Sequence, residues 1–92
     1  MSDDYTYTSC QFTPRFLREL LGGRFSASEH SRIIRALILL DSDERHPSLR
    51  VHQLERDLKG AWSASATDEI RITFRRLDGG RKQLISVSRH YQ

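Results

Sequence analysis

Apolar positions along the chain change period once, near Pro47: helical spacing dominates before it and strand alternation after it. Residues 5–12, with Tyr5, Tyr7 and Phe12 among threonines, predict a first strand. Thr13 followed by Pro14 has the form of an N-cap with proline at the first helical position, where the missing N–H costs nothing. Phe16, Leu17, Leu20 and Leu21 then recur at helical spacing until Gly22-Gly23. Ser26 and Glu29 have capping-box spacing and predict the start of a second helix, with Ile33, Ile34, Leu37, Ile38 and Leu40 facing inward and an end near Asp41.

The polar segment DSDERHP follows, and Pro47 excludes His46 from helical geometry. Strands are predicted around residues 49–54, 61–66, 70–76 and 83–88. Asp78-Gly79-Gly80 reads as the turn of a hairpin joining the last two, because glycine accepts the positive φ a tight turn needs. In one arm Ile70, Ile72 and Phe74 alternate with Arg71, Thr73 and Arg75; in the other, Ile85 and Val87 alternate with Leu84, Ser86, Ser88 and His90. One face of this hairpin is therefore apolar, to be covered by the helices, and the other is polar. The expectation is a single α+β domain over residues 1–92, an N-terminal strand and two helices on a twisted antiparallel sheet of about four strands, with residues 1–6 flexible.

Composition narrows the function classes. With 92 residues there is room for one small domain, and a hydrophobic content of 37% with 29% charged residues is that of a folded soluble chain. The lone Cys10 excludes an internal disulfide and argues against structural zinc. The acidic MSDDYTYTS start lacks a signal peptide's apolar core, and no stretch reaches the ~20 apolar residues of a membrane span, so a cytoplasmic protein is expected. Net charge is only +3 but uneven: residues 1–44 carry five Arg against seven acids, and residues 45–92 carry ten Lys or Arg against five acids. The second half is suited to a phosphate backbone, although a basic face alone names no partner.

Residues 46–74, HPSLRVHQLERDLKGAWSASATDEIRITF, supply more. Pro47, then Leu49-Arg50-x-His52-x-Leu54, then Leu58-Lys59-Gly60 with Trp62 and Ser63, then Arg71 in an apolar strand, come in the order and spacing of the RelE/ParE toxin superfamily, which this segment resembles. The closing Arg89-His90-Tyr91 resembles the His-Tyr end of its YoeB-like branch.

The resemblance implies a RelE-like fold and the toxin of a type II toxin–antitoxin pair. It further implies an endoribonuclease that cleaves mRNA, on the ribosome, without metal or other cofactor, by attack of a 2′-hydroxyl on the neighbouring phosphate. That chemistry needs a base, a cation for the phosphorane and an acid for the leaving 5′-oxygen; histidine, arginine and tyrosine supply these near neutral pH. By position in the motif, Arg71 matches the phosphate-stabilising arginine and His90 with Tyr91 the C-terminal pair. His52 is a candidate base or second phosphate contact, and Arg50, His46, Lys59, Arg75 and Arg81 are candidate RNA contacts. Ser48 stands where the YoeB-like branch has a glutamate, which leaves the general base open.

Simpler roles compete: a solvated face for Arg71, a hydrogen-bonded strand position for His52, a place in the core for Trp62 and no chemistry for Cys10. The implied partners are a cognate antitoxin lying across the two helices and the adjacent sheet edge, and ribosome-bound mRNA. Alternatives are a ParE-like toxin that inhibits DNA gyrase without chemistry, and an RNA-binding relative without catalysis.

Overall fold

Both predicted helix starts are built by local capping in the computed structural model, which describes residues 4–55 and 60–89. Thr13 is extended, its Oγ1 accepts from the Phe16 N–H (3.2 Å), and α1 runs over Pro14–Leu21 to a C-cap at Gly22. The same hydroxyl donates to the Leu84 carbonyl at 2.9 Å, which ties the start of α1 to a strand distant in sequence. Helix α2, Ala27–Ser42, begins with the full capping box: Ser26 Oγ accepts from Glu29 N at 3.2 Å, and Glu29 Oε1 accepts from Ser26 N at 2.9 Å. Replacing Ser26 by Ala is expected to cost about 1 kcal/mol, lowering Tm by roughly 5 °C in a thermal melt.

The buried face of α2 is Ile33, Ala36, Leu37 and Leu40, a stripe of i, i+3, i+4, i+7 spacing. Ile34, expected inside, falls beside that stripe and is 44% exposed. The helices pack on one face of a five-stranded mixed sheet of order β1-β5-β4-β3-β2, with β1 Cys10–Phe12, β2 His52–Gln53, β3 Ala61–Ser65, β4 Ile70–Arg76 and β5 Lys82–Arg89. The core between them holds Phe16, Ile33, Leu37, Leu40, Leu49, Ile70, Ile72, Phe74, Leu84 and Val87. Among the described residues no helix is long and apolar enough to cross a membrane.

Three expectations change. The sheet is not purely antiparallel with about four strands: β1 pairs in parallel with β5, adding a fifth strand, and past Leu84 the Glu19 carboxylate takes the Val87 N–H at 3.2 Å. The strand expected over residues 49–54 is instead a 3-10 turn at Pro47–Leu49 followed by the two-residue β2, because Arg50 adopts φ 47°, ψ 45° and breaks the extended run. In the hairpin, Thr73 faces Ser86 but Phe74 faces Leu84, so the register skips Ile85. This bulge turns Leu84, expected on the polar side, into the core.

The start of the described chain is tied to the end of α2 from Tyr5 onward. Asp41, at the C-terminal end of α2 and 8% exposed, is the anchor for this segment. Its Oδ2 accepts from the Tyr5 hydroxyl (2.6 Å), Thr8 N (3.0 Å) and Thr8 Oγ1 (3.3 Å); its Oδ1 accepts from Ser9 N (2.7 Å), Ser9 Oγ (3.0 Å) and Cys10 N (2.8 Å). Burial pushes the Asp41 carboxyl up, but these donors together outweigh it and hold the group well below the usual carboxylate range.

Candidate functional site

Strand register decides which side chains share the polar face of the sheet, where Ser63, Thr73 and Ser86 are buried and His52 is exposed. His52 lies across from Ser63, Ser63 from Thr73, and Thr73 from Ser86; one pleat along, Ser65 lies across from Arg71 and Arg71 from Ser88. Directly opposed residues share a face, as do residues two apart, so His52, Ser63, Ser65, Arg71, Ser86 and Ser88 all project from the same side.

At the end of the sheet nearest the β3–β4 turn this face deepens into a cavity of about 340 Å³, lined by Arg50, His52, Ser63, Ser65, Asp68 and Arg71 among others. One feature suits it to an anion and a second to taking a proton. The Arg71 Nε is buried and has no hydrogen-bond partner among the described residues. A buried donor left unmet is costly, and it is relieved when an acceptor oxygen enters beside it. The second feature is the His52 ring. Its Nδ1 lies 2.8 Å from the Arg50 carbonyl oxygen. A carbonyl only accepts, so Nδ1 carries the proton and the neutral ring keeps its lone pair on Nε2.

Arg50 shapes the cavity through its backbone. It is the one non-glycine residue with positive φ among those described, a conformation that costs energy unless its surroundings impose it. Its guanidinium is 3.0 Å from Asp68 Oδ1, a pair with side chains 67% and 88% exposed, and exposed pairs of this kind contribute little.

The remaining candidates are dispersed. His46 caps the 3-10 turn, its Nδ1 accepting from Ser48 N (3.2 Å) and Ser48 Oγ (2.8 Å), and lines a neighbouring concavity with Trp62 and Arg76. Arg75 is exposed, on the same face as Arg71 and beside Gly60. Arg81 donates to the Asp78 carbonyl at 3.0 Å in the β4–β5 turn. The five residue steps from Arg71 to Arg76 put that turn about 16 Å from the cavity end of β4, so Arg81 is not brought to it. Lys59, His90 and Tyr91 lie outside the described residues.

Trp62 is partly buried, stacked on Phe74 with centroids 6.5 Å apart, and carries the Arg76 guanidinium 4.2 Å over its ring. Cys10 is buried beside Asp41, and its thiol is pushed up to about 12, which makes it inert. Ser63, Ser65, Thr67 and Asp68 are additional residues of the cavity. Ser63 and Ser65 were findable, because they alternate in AWSAS on the face that pairs with Arg71; Asp68 arrives through a turn with no periodic signal.

This arrangement can bind a phosphodiester oxygen at Arg71 and accept a proton at His52 Nε2 in one cavity. No family model matches the sequence, and no curated protein matches it. Among solved structures, the YoeB/ParE toxin of Agrobacterium tumefaciens superposes with a TM-score of 0.65 at 24% identity, covering 91% of this chain and all of that one. The RelBE2 toxin–antitoxin complex of Mycobacterium tuberculosis gives 0.61 at 22%, with 92% and 100% covered. YafQ of E. coli gives 0.64 at 12%, with 89% and 92% covered. The chain thus has the fold of the RelE-, YoeB- and YafQ-type toxins of toxin–antitoxin systems.

Proposed function

We propose that this chain is the toxin of a toxin–antitoxin pair and that it is an endoribonuclease acting without metal on ribosome-bound mRNA. The observation that carries this reading is the shared cavity of Arg71, with its unmet Nε donor, and His52, with its lone pair on Nε2. His52 takes the proton of a 2′-hydroxyl, and the freed oxygen attacks the adjacent phosphorus. Arg71 neutralises the charge gathering on the phosphorane, in a partly enclosed site where a fixed guanidinium is worth more than in water. The bond to the 5′-oxygen breaks, and that oxygen takes a proton from an acid; His90 and Tyr91 are the candidates the family resemblance offers. The products are a 2′,3′-cyclic phosphate and a 5′-hydroxyl.

The basic second half of the chain supports a polyanionic target such as ribosomal RNA. The antitoxin covers the helical side, where Leu17 and Leu21 of α1 and Ile34 of α2 are 41%, 76% and 44% exposed. Capture of such an apolar helix surface by a partner segment is a common mode of recognition.

The test is incubation of the purified protein with translating ribosomes, followed by identification of the RNA ends. Cyclic phosphate ends are expected, with His52→Ala slowing their appearance roughly 100-fold. Intact mRNA at high protein concentration defeats the reading. Growth arrest that survives both Arg71→Ala and His52→Ala, together with loss of DNA supercoiling, assigns the chain to gyrase inhibition instead.

A further inference from the structure

A second cavity, of about 200 Å³, adjoins the first on the side toward α2. The two share Arg50, Ser65, Thr67 and Asp68 as a common wall, and the second adds Arg32 and Arg35. Those two arginines are one helical turn apart on α2 and exposed, and neither makes an ion pair or hydrogen bond with the described residues. Arginines on a protein surface commonly find a carboxylate; two that converge unpaired on a concavity leave a positive field there. Thr67 adds a directed donor. Its Oγ1 already accepts from Glu69 N (3.1 Å) and Ile70 N (3.0 Å), so its own proton remains to be given. The left-handed Arg50 stands between the cavities, and the Asp68 carboxylate rests on its guanidinium, where an incoming phosphate oxygen would sit.

We propose that this second cavity is a phosphate subsite for the nucleotide next to the cleaved bond, with Arg32 and Arg35 gripping the backbone and Asp68 as a displaceable internal anion on Arg50. The proposal rests on the function proposed above and deepens it: the shortest RNA that fills both cavities carries two phosphates, one at Arg71 and one at Arg32 and Arg35. A continuous wall suits a threaded RNA strand, whose backbone carries a charge at every nucleotide from one cavity into the next.

The experiment titrates the whole protein with 2′-O-methyl oligonucleotides, which bind but lack the attacking hydroxyl, and compares a dinucleotide with one phosphate and a trinucleotide with two. The Arg32→Gln/Arg35→Gln variant is expected to bind the trinucleotide about tenfold more weakly. Its slope of log affinity against log salt should be shallower by about 0.7, the value for one released phosphate contact on a single strand. Its dinucleotide affinity and Tm stay unchanged. Asp68→Asn is expected to tighten trinucleotide binding about threefold.

Equal trinucleotide affinity in the wild type and the double variant, with Arg71→Ala still weakening it, overturns the subsite and leaves the nuclease reading standing. Loss of affinity for a polyglutamate peptide in place of RNA overturns it in favour of a protein partner. No binding of either oligonucleotide by the wild type overturns the subsite, and the nuclease reading is then decided by the cleavage test on translating ribosomes.

Discussion

Arg71→Ala is expected to lower the rate of RNA cleavage roughly 100- to 1,000-fold, the cost of removing one preorganised charge-stabilising group from a transition state. The guanidinium is the one cationic group of the first cavity that β4 itself carries, on the polar face between Ser65 and Ser88. Its Nε has no hydrogen-bond partner among the described residues and so keeps a donor to give. Arg71→Lys keeps the charge and loses the planar fork, so it should recover about a tenth of the lost rate at most. Folding should be intact in both variants, since the residue lies outside the apolar core. The measurement is single-turnover cleavage with the melting temperature as control, and a rate within threefold of wild type contradicts the role.

The largest effect on stability is expected at Asp41. Its Oδ2 meets three donors and its Oδ1 four, the Thr8 N–H being shared between the two oxygens. Asp41→Asn therefore sets an amide N–H₂ against donors whichever way the amide turns. The cost is about 2–4 kcal/mol, a fall in Tm of roughly 10–20 °C for a domain of this size. The pH dependence has a definite sign. The folded Asp41 carboxyl lies below its unfolded value, so its contribution is complete above the unfolded value, about 3.9, and drains away as pH falls below it. The wild type should lose stability on acidification through this range, and the difference between wild type and Asp41→Asn should narrow there. An Asp41→Asn protein as stable as wild type at pH 7 contradicts the anchoring role.

The parts of the fold readable from sequence are those whose causes are local. Thr13-Pro14 and the Ser26/Glu29 box mark helix starts because the capping atoms are three residues apart. The span of β4 was readable because Ile70, Ile72 and Phe74 alternate with polar residues across a half-buried strand. What escaped is non-local or conformational. No residue in Cys10–Phe12 announces a parallel pairing with β5, 72 positions away in sequence at Cys10↔Lys82. Nothing in Arg50 announces a left-handed backbone, which asparagine or glycine would have signalled. Leu84 broke alternation because a bulge inserts Ile85 into the register.

The candidate site divides in the same way. Arg71 and His52 were legible through motif resemblance and strand phase. Asp68, Arg32 and Arg35 join the cavities through a turn and a helix brought together by packing, which no period in the sequence encodes. His46, chosen for its chemistry, serves as the cap of the Pro47–Leu49 turn, a role that nothing in the helical or strand periodicity signals.

The account turns on Arg71 and His52 serving one phosphate. A double-mutant cycle on the single-turnover cleavage rate measures this directly, because groups that act together on one transition state are far from additive. Arg71→Ala combined with His52→Ala should be within about threefold of the slower single variant. A double variant whose loss equals the product of the two single losses would mean that the two side chains work independently, and would contradict the shared site.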